Sequence, residues 1–352
     1  MHFIQGLTFD DVLLIPNYNG IRSRQDVTTE SVLGNKTFEI PVISSNMDTI
    51  TGIAMANCMA SLGGLGILHR FMTIEQNIQE LRKANDKTRL GVSIGVGEPG
   101  LERAEALIAE GAEIVCVDVA HGHAKLVNQT IRKLRQRYKD NIVIIAGNVA
   151  TYAGADYLAA AGADVIKVGI GGGSVCTTRI KTGFGVPQLS AIMMCRQVDR
   201  VLIADGGIRT PGDAVKALAA GASFVMLGGM LAGTLETPGE AKVRHTADGR
   251  EVPVKSFRGM ASREAQEDFM GSMAEWKTAE GIAIEVPLRG SAVDVIRDVV
   301  GGIRSGMTYA GAATLKDLQR KAQFMLISSA GVHESMAHGL ERLAFQAEEP
   351  KS

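Results

Sequence analysis

The sequence predicts an α/β protein, a (β/α)8 TIM barrel with a flap over the C-terminal ends of its strands. Three observations predict it. Short, continuously apolar segments recur between amphipathic ones, the pattern of a parallel sheet covered by helices. Eight such units fit into about 190 residues, which favours a closed barrel over an open sheet. Glycine and polar residues gather at the C-terminal end of each apolar run, where such barrels build their active sites.

The first four strands are expected at 40–47 (IPVISSNM), 63–70 (GGLGILHR), 90–97 (LGVSIGVG) and 113–122 (EIVCVDVAHG). The other four follow at 141–149 (NIVIIAGNV), 165–174 (VIKVGIGGGS), 201–207 (VLIADGG) and 224–230 (FVMLGGM). Amphipathic stretches such as 124–138 and 211–222 read as the helices between them. Over 234–290 the rhythm breaks. There AKVRHTADGREVPVK has the form of a hairpin turning on Asp248-Gly249, and a polar, charge-rich stretch follows. So long an excursion before the final helical stretch near 292–322 is expected to be a lid. The chain is read as one barrel domain, 1–352, with this insertion and no inserted pair of regulatory domains. A tail after about 340 is expected to be mobile.

Composition excludes several function classes. The chain has 352 residues, 45% hydrophobic and 21% charged, ordinary values for a globular protein. A net charge of −1 supplies no basic field for nucleic acid or anionic lipid. Cys58, Cys116, Cys176 and Cys195 show no CxxC spacing, so neither a disulfide framework nor a zinc site is expected. A cytoplasmic, reducing location fits that usage. The opening MHFIQGLTFDD lacks the regions of a signal peptide. No apolar run reaches the roughly 18–20 residues of a membrane span.

One loop stands out. Residues 171–185 read GGGSVCTTRIKTGFG, with Cys176 just past three glycines that let backbone approach a ligand closely. A buried structural cysteine belongs among apolar neighbours. This one has hydroxyls and a guanidinium beside it in sequence, which favour a thiolate and a reactive role. Asp205-Gly206-Gly207 and Gly228-Gly229 end the seventh and eighth strands, where barrels commonly hold phosphate on backbone N–H groups. For either pair alone a tight turn is the alternative. His121 and His123 stand two apart at a strand end and would face opposite ways, which argues against a metal pair.

Together LTFDDVLLIP, NMDT, GIGGGSVCTTR, ADGGIRTPGD, VMLGGMLAG and RGMAS resemble the IMP dehydrogenase/GMP reductase family, over about residues 7–340. The resemblance implies a homotetrameric barrel that binds a purine nucleoside monophosphate beside a nicotinamide cofactor. It also implies a cysteine that attacks C2 of the purine to form a covalent thioimidate. The dehydrogenase oxidises IMP with NAD and hydrolyses the adduct to XMP; the reductase releases ammonia from GMP and takes hydride from NADPH. Several features resemble the reductase: no regulatory pair between strands two and three, a compact flap from Gly259 to Gly290, Asn46, and Phe257 where dehydrogenases place a tyrosine. The flap segment MAEWKTAEG is similar to the reductase VAEYRASEG and lacks the Arg-Tyr pair with which dehydrogenases activate water. Two features depart from that branch. Gly172 replaces the usual proline, and SSAGVHESMAHG resembles the tail with which bacterial dehydrogenases complete a neighbour's potassium site. The expected activity is NADPH-dependent GMP reductase. An IMP dehydrogenase without regulatory domains is the alternative, and a non-catalytic purine-nucleotide-binding protein the remote one.

Carried over by resemblance, Cys176 is the nucleophile, Thr178 a proton-transfer partner and Glu280 the acid/base group, unless Glu280 is a solvated lid residue. Ser174, Gly206, Gly207, Gly228 and Gly229 would hold phosphate, and Asp205 the ribose hydroxyls. Asn46, Met47, Gly259, Met260, Ala261 and Gly281 would complete the substrate site. Arg70, Asp118 and Ala120 would line the cofactor site, with Trp276, Lys277 and Thr278 closing from the flap. Ser23, Arg24, Ser305 and Thr308 would meet the adenosine across a subunit boundary. Arg24 and Lys277 are candidates for the extra phosphate of NADPH, with a solvated surface role as the equal alternative. The carbonyls of Gly171, Gly173 and Cys176 would bind potassium.

Overall fold

A computed structural model of the chain describes residues 3–246 and 248–336. Eight parallel strands form a closed barrel: β1 (Val42–Ser44), β2 (Leu65–Leu68), β3 (Leu90–Ile94), β4 (Ile114–Asp118), β5 (Val143–Val149), β6 (Val165–Val168), β7 (Val201–Asp205) and β8 (Phe224–Leu227). The circle closes where Val225 on β8 pairs with Val42 on β1. All eight fall within the stretches that sequence predicts. They are mostly apolar because both faces are covered, with Asp118, Asn148, Lys167 and Asp205 among the polar exceptions toward the site end. Ile43, Ile67, Cys116, Ile145, Ile203 and Phe224 belong to one buried cluster, while Val42, Leu68, Val115, Ile144 and Val225 belong to the larger one shared with the helices. A hairpin of Ser31–Leu33 and Lys36–Phe38 adds Leu33 and Phe38 to the first cluster. Phe38 meets Phe224 edge-on, with ring centroids 5.9 Å apart.

The helices are α1 (Ile53–Ser61), α2 (Ile74–Arg82), α3 (Gly97–Ala109), α4 (Lys125–Tyr138), α5 (Tyr152–Ala161), α6 (Thr178–Thr182), α7 (Gln188–Cys195) and α8 (Pro211–Ala220). Helix α4 buries Val127, Thr130, Ile131 and Leu134, one stripe at helical spacing. Helix α8 starts at a capping box, Thr210 with Asp213, and carries Pro211 in its first turn, where a missing N–H costs nothing. The stretch near 292–322 is two helices, α10 (Ala292–Tyr309) and α11 (Leu315–Lys321). They part at Gly311, whose φ is +61° and where a Cβ would lie 2.2 Å from the Tyr18 carbonyl oxygen.

The insertion folds as an antiparallel sheet of β9 (Lys242–His245), β10 (Glu251–Arg258) and β11 (Ala283–Pro287), with α9 (Arg263–Met270) between the last two strands. The hairpin at Asp248-Gly249 is present, with His245 paired to Glu251 and Gly249 at φ +81°. Strand β11, which lies in the stretch read only as polar, forms because β10 offers it a partner from Arg258↔Ala283 to Val254↔Pro287. Three contacts moor the flap. Buried Lys255 donates to the carbonyls of Thr234 (3.1 Å) and Thr237 (2.7 Å), Arg258 bridges Asp48 (2.6 Å) and Asp268 (2.5 Å), and Phe269 stacks on Phe71 at 4.7 Å. Among the described residues no helix is long and apolar enough to cross a membrane. The end of the SSAGVHESMAHG motif and the tail after 340 lie outside the described residues.

Candidate active site

At the C-terminal ends of the strands lies a cavity of about 360 Å³. Its wall comes from the loops after six strands, all but β3 and β5, from strand residues that include Asn148 of β5, and from the flap residues Phe257, Gly259, Met260, Ala261, Gln266 and Glu280. Most of the expected site residues meet here. Asn46, Met47, Arg70, Asp118, Ala120, Asp205, Gly206, Gly207, Gly228 and Gly229 line it together with Ser174, Cys176 and Thr178.

The cysteine loop is held by the flap. Cys176 forms a β-bridge with Gly281, the Thr177 N–H donates to the Glu280 carbonyl at 2.9 Å, and the Ile282 N–H donates to the Val175 carbonyl at 3.0 Å. The Glu280 N–H in turn donates to the Ala261 carbonyl at 3.0 Å. This clasp needs glycine at 281, because a Cβ there would lie 3.0 Å from the Ser262 nitrogen and 3.3 Å from the Val175 oxygen. Gly281 is thus buried in the clasp and is not among the cavity-lining residues. The Cys176 thiol donates to the Thr178 hydroxyl at 3.2 Å. Arg179, a neighbour of the thiol in sequence, turns away from it: the guanidinium donates to the Val186 carbonyl at 2.7 Å and packs over Gly171.

Three glycine turns converge beside the cysteine loop. Gly206 (φ +104°) lies so close to the 171–174 loop that a Cβ would sit 3.2 Å from the Gly172 carbonyl carbon. A Cβ on Gly229 would fall 2.7 Å from the Ser174 hydroxyl oxygen. Ser174 and the glycines after β7 and β8 therefore form one small cradle of backbone and one hydroxyl, suited to a phosphate.

Beneath the cradle the floor is charged. Lys167 on β6, fully buried, places Nζ 2.8 Å from Asp118 and 2.7 Å from Asp205. Burial alone would lower its pKa, but the two carboxylates raise it above the ordinary lysine value. Burial raises the Asp118 carboxyl, yet Lys167 and Arg70 hold it below its usual range. Asn148 donates to Asp205 at 2.8 Å and to the Gly169 carbonyl at 2.7 Å. Two cavity-lining groups, Arg70 Nε and Asn148 Oδ1, are buried without a protein partner among the described residues. Such atoms are completed by a bound polar ligand or water.

Other expected residues lie elsewhere. Trp276 is 82% exposed, with the Lys277 ammonium 5.3 Å over its ring, and neither these two nor Thr278 lines the cavity. Ser23 caps the turn Arg24–Asp26, the Arg24 carbonyl accepts from Arg304, and the Thr308 hydroxyl donates to the Arg304 carbonyl. With Ser305 on the same helix, these residues form a cluster of their own outside the cavity lining. The expected potassium ligands sit in the cysteine loop, where the Gly173 carbonyl already accepts the Cys176 N–H at 3.1 Å. Thr177 Oγ1 beside them is buried and without a protein partner, an oxygen compatible with a hard cation. His121 and His123 are not on a strand, so alternation does not apply: both follow β4, their rings 6.3 Å apart, and His123 packs on Tyr157.

With this geometry in view, the comparisons decide the family. Residues 6–338 match the model of the IMP dehydrogenase / GMP reductase domain. The chain belongs to that family. It is similar to an IMP dehydrogenase structure from Legionella pneumophila, 58% identical with a TM-score of 0.83, covering 93% of this chain and all of that one. It is similar also to a Trypanosoma brucei GMP reductase solved with guanosine 5'-monophosphate, 30% identical with a TM-score of 0.89, covering 96% of this chain and 98% of that one. GMP reductase 2 of Mus musculus is 40% identical over 335 residues, 92% of this chain and 94% of its own. Family membership makes the protein an oxidoreductase of purine nucleotide metabolism that uses a nicotinamide cofactor. Both activities occur among these relatives, so the choice between them falls to the residues of this chain.

Several cavity residues escaped the sequence reading, among them Phe71, Asn148, Lys167 and Gln266. Only Lys167 carried a signal. A lysine inside the apolar run VIKVGI is costly unless paired.

Proposed function

We propose that this protein is a GMP reductase, converting GMP and NADPH to IMP, ammonia and NADP. One observation carries the reading. The clasp fixes Glu280 at the cavity wall with Cys176 and Thr178, in a flap whose segment 271–282 carries no Arg-Tyr pair to activate water.

The residues divide the work in a balanced sequence. Ser174 and the glycines of the cradle bind phosphate, and Asp205 accepts from the ribose hydroxyls. The Cys176 thiolate adds to C2 of the purine. The C2–N bond breaks as Glu280, through Thr178, delivers the proton that lets nitrogen leave as ammonia. The nicotinamide supplies the hydride that reduces C2. Expulsion of the thiolate then gives IMP and restores Cys176. Arg70 and Asp118 face the cavity where the cofactor would bind, and the unpartnered Arg70 Nε suits a polar group there. The exposed Trp276–Lys277 pair and the Ser23–Ser305 cluster fit a cofactor that extends past the cavity to a neighbouring subunit of a homotetramer. Potassium on the cysteine loop belongs to the same proposal.

The test is a paired assay followed at the nicotinamide absorbance. GMP with NADPH is expected to turn over with release of ammonia, and IMP with NAD is expected to give XMP slowly. Steady XMP formation at a comparable rate would instead make the protein an IMP dehydrogenase.

A further inference from the structure

We propose that Lys167 is a positioning residue for the nucleotide: by offsetting the charge of Asp118 and holding one carboxylate oxygen, it keeps Asp205 an oriented acceptor for the ribose hydroxyls. The inference rests on reading the cavity as a purine ribonucleoside monophosphate site, and holds for either direction of the family's chemistry.

The geometry makes this arrangement specific. On the barrel wall Gly147 of β5 pairs with Asp118 on one side and with Lys167 on the other. A Cβ at Gly147 would sit 2.6 Å from the Lys167 Cβ, so only glycine leaves room for the lysine between the two aspartates. Oδ2 of Asp205 accepts from both Lys167 and Asn148, at 2.7 and 2.8 Å, and no residue among those described bonds Oδ1. One oxygen of Asp205 is thus fixed from below while the other is left for a ligand. The surrounding groups are Cys116 and Asp118 from β4, Asp205 from β7, Arg70 after β2, and the amides of Asn46 and Asn148. Among the described residues, Lys167 and Arg70 are the cations that offset these carboxylates.

Stability does not explain such a triad. A buried ion cluster is commonly no better for folding than an apolar group of the same volume. Without the ammonium, two carboxylates would face one another at the cavity floor, and their mutual repulsion would disfavour both being charged in place. A protonated or displaced Asp205 is a poorer acceptor for two hydroxyls.

The experiment measures GMP and IMP binding by calorimetry, without cofactor, from pH 6 to 9. It compares wild type, Lys167→Met, Asp118→Asn and the double variant, with thermal melts alongside. Lys167→Met is expected to weaken both nucleotides by roughly 30-fold, the low end of the cost of stranding a partner charge, since both carboxylates keep some solvent access. The loss should ease as pH rises, relative to wild type. In the double variant, affinity should return to within about threefold of Asp118→Asn, a coupling that a cycle of variants isolates. If Lys167→Met does not fold, Lys167→Gln replaces it, with the same pH-dependent loss expected. Nucleotide affinity within threefold of wild type across the pH range, whatever the melting temperature, would overturn the proposal. So would a loss that Asp118→Asn fails to relieve. If wild type itself binds neither nucleotide, the reading of the cavity fails instead.

Discussion

The Cys176 thiol and the Thr178 hydroxyl lie 3.2 Å apart on a loop clasped to the flap through Thr177 and Glu280. The other cysteines are placed differently. Burial pushes the Cys58 thiol up to about 11 and the Cys195 thiol up to about 12, and raises the fully buried Cys116 as well. Since thiolates react and thiols do not, iodoacetamide near pH 7.5 is expected to label Cys176 first, with GMP protecting it. Peptide mapping reads this directly, and early labelling of Cys58 would contradict it. Cys176→Ala should abolish turnover yet keep GMP binding within about tenfold, because phosphate and ribose contacts carry ground-state affinity.

Glu280→Gln separates the two chemical steps. Departing ammonia needs a positioned acid, whereas hydride transfer to the thioimidate moves no such proton. Deamination of GMP is expected to slow by roughly 10²–10⁴. Adduct formation from IMP with NADP should continue near the wild-type rate. Rapid-quench detection of the adduct from each side checks this, and equal loss in both directions would make Glu280 a holder of the lid.

Gly229→Ala tests the phosphate cradle. The new methyl would meet the Ser174 hydroxyl at 2.7 Å, so Ser174 must move. Affinity for GMP is expected to fall about tenfold or more, on the scale of one lost charge-assisted hydrogen bond. Guanosine, which has no phosphate, should bind the variant and wild type alike. Equal losses for both ligands would place the phosphate elsewhere.

His69, at the end of β2, sets an acid limit on stability. Burial lowers its pKa from 6.5 to about 4, against the opposing pull of Asp48 and Glu80, and its Nδ1 accepts the Phe71 N–H. Between these values the unfolded chain binds the extra proton. Stability is therefore full above pH 6.5 and falls as pH drops toward 4, by about 3 kcal/mol from this group. His69→Gln should flatten that part of the urea-denaturation profile, at some cost in stability at pH 8. An unchanged slope would assign the acid loss to other groups.

Local pattern carried much of the architecture. The eight strands were legible because burial on both faces makes them continuously apolar, and the glycines after them marked the site. Strand ends were less so. The stretches 113–122 and 165–174 run past Asp118 and Val168, because composition does not reveal where ladder hydrogen bonds stop. Strand β11 was missed for a related reason: its order comes from pairing with β10, a partner distant in sequence.

The sequence by itself determined the barrel, the cysteine loop and the glycines at the strand ends, since each rests on spacing along the chain, and its motifs carried the resemblance to the family. Only the tertiary structure decided which groups meet. It drew Glu280 to Cys176 through the flap clasp and joined Lys167 to Asp118 and Asp205 across three strands. It also turned Arg179 away from the thiol and left Trp276 in solvent. Barrel closure sets such distances, and a charge inside an apolar strand reveals that it needs a partner without revealing which one.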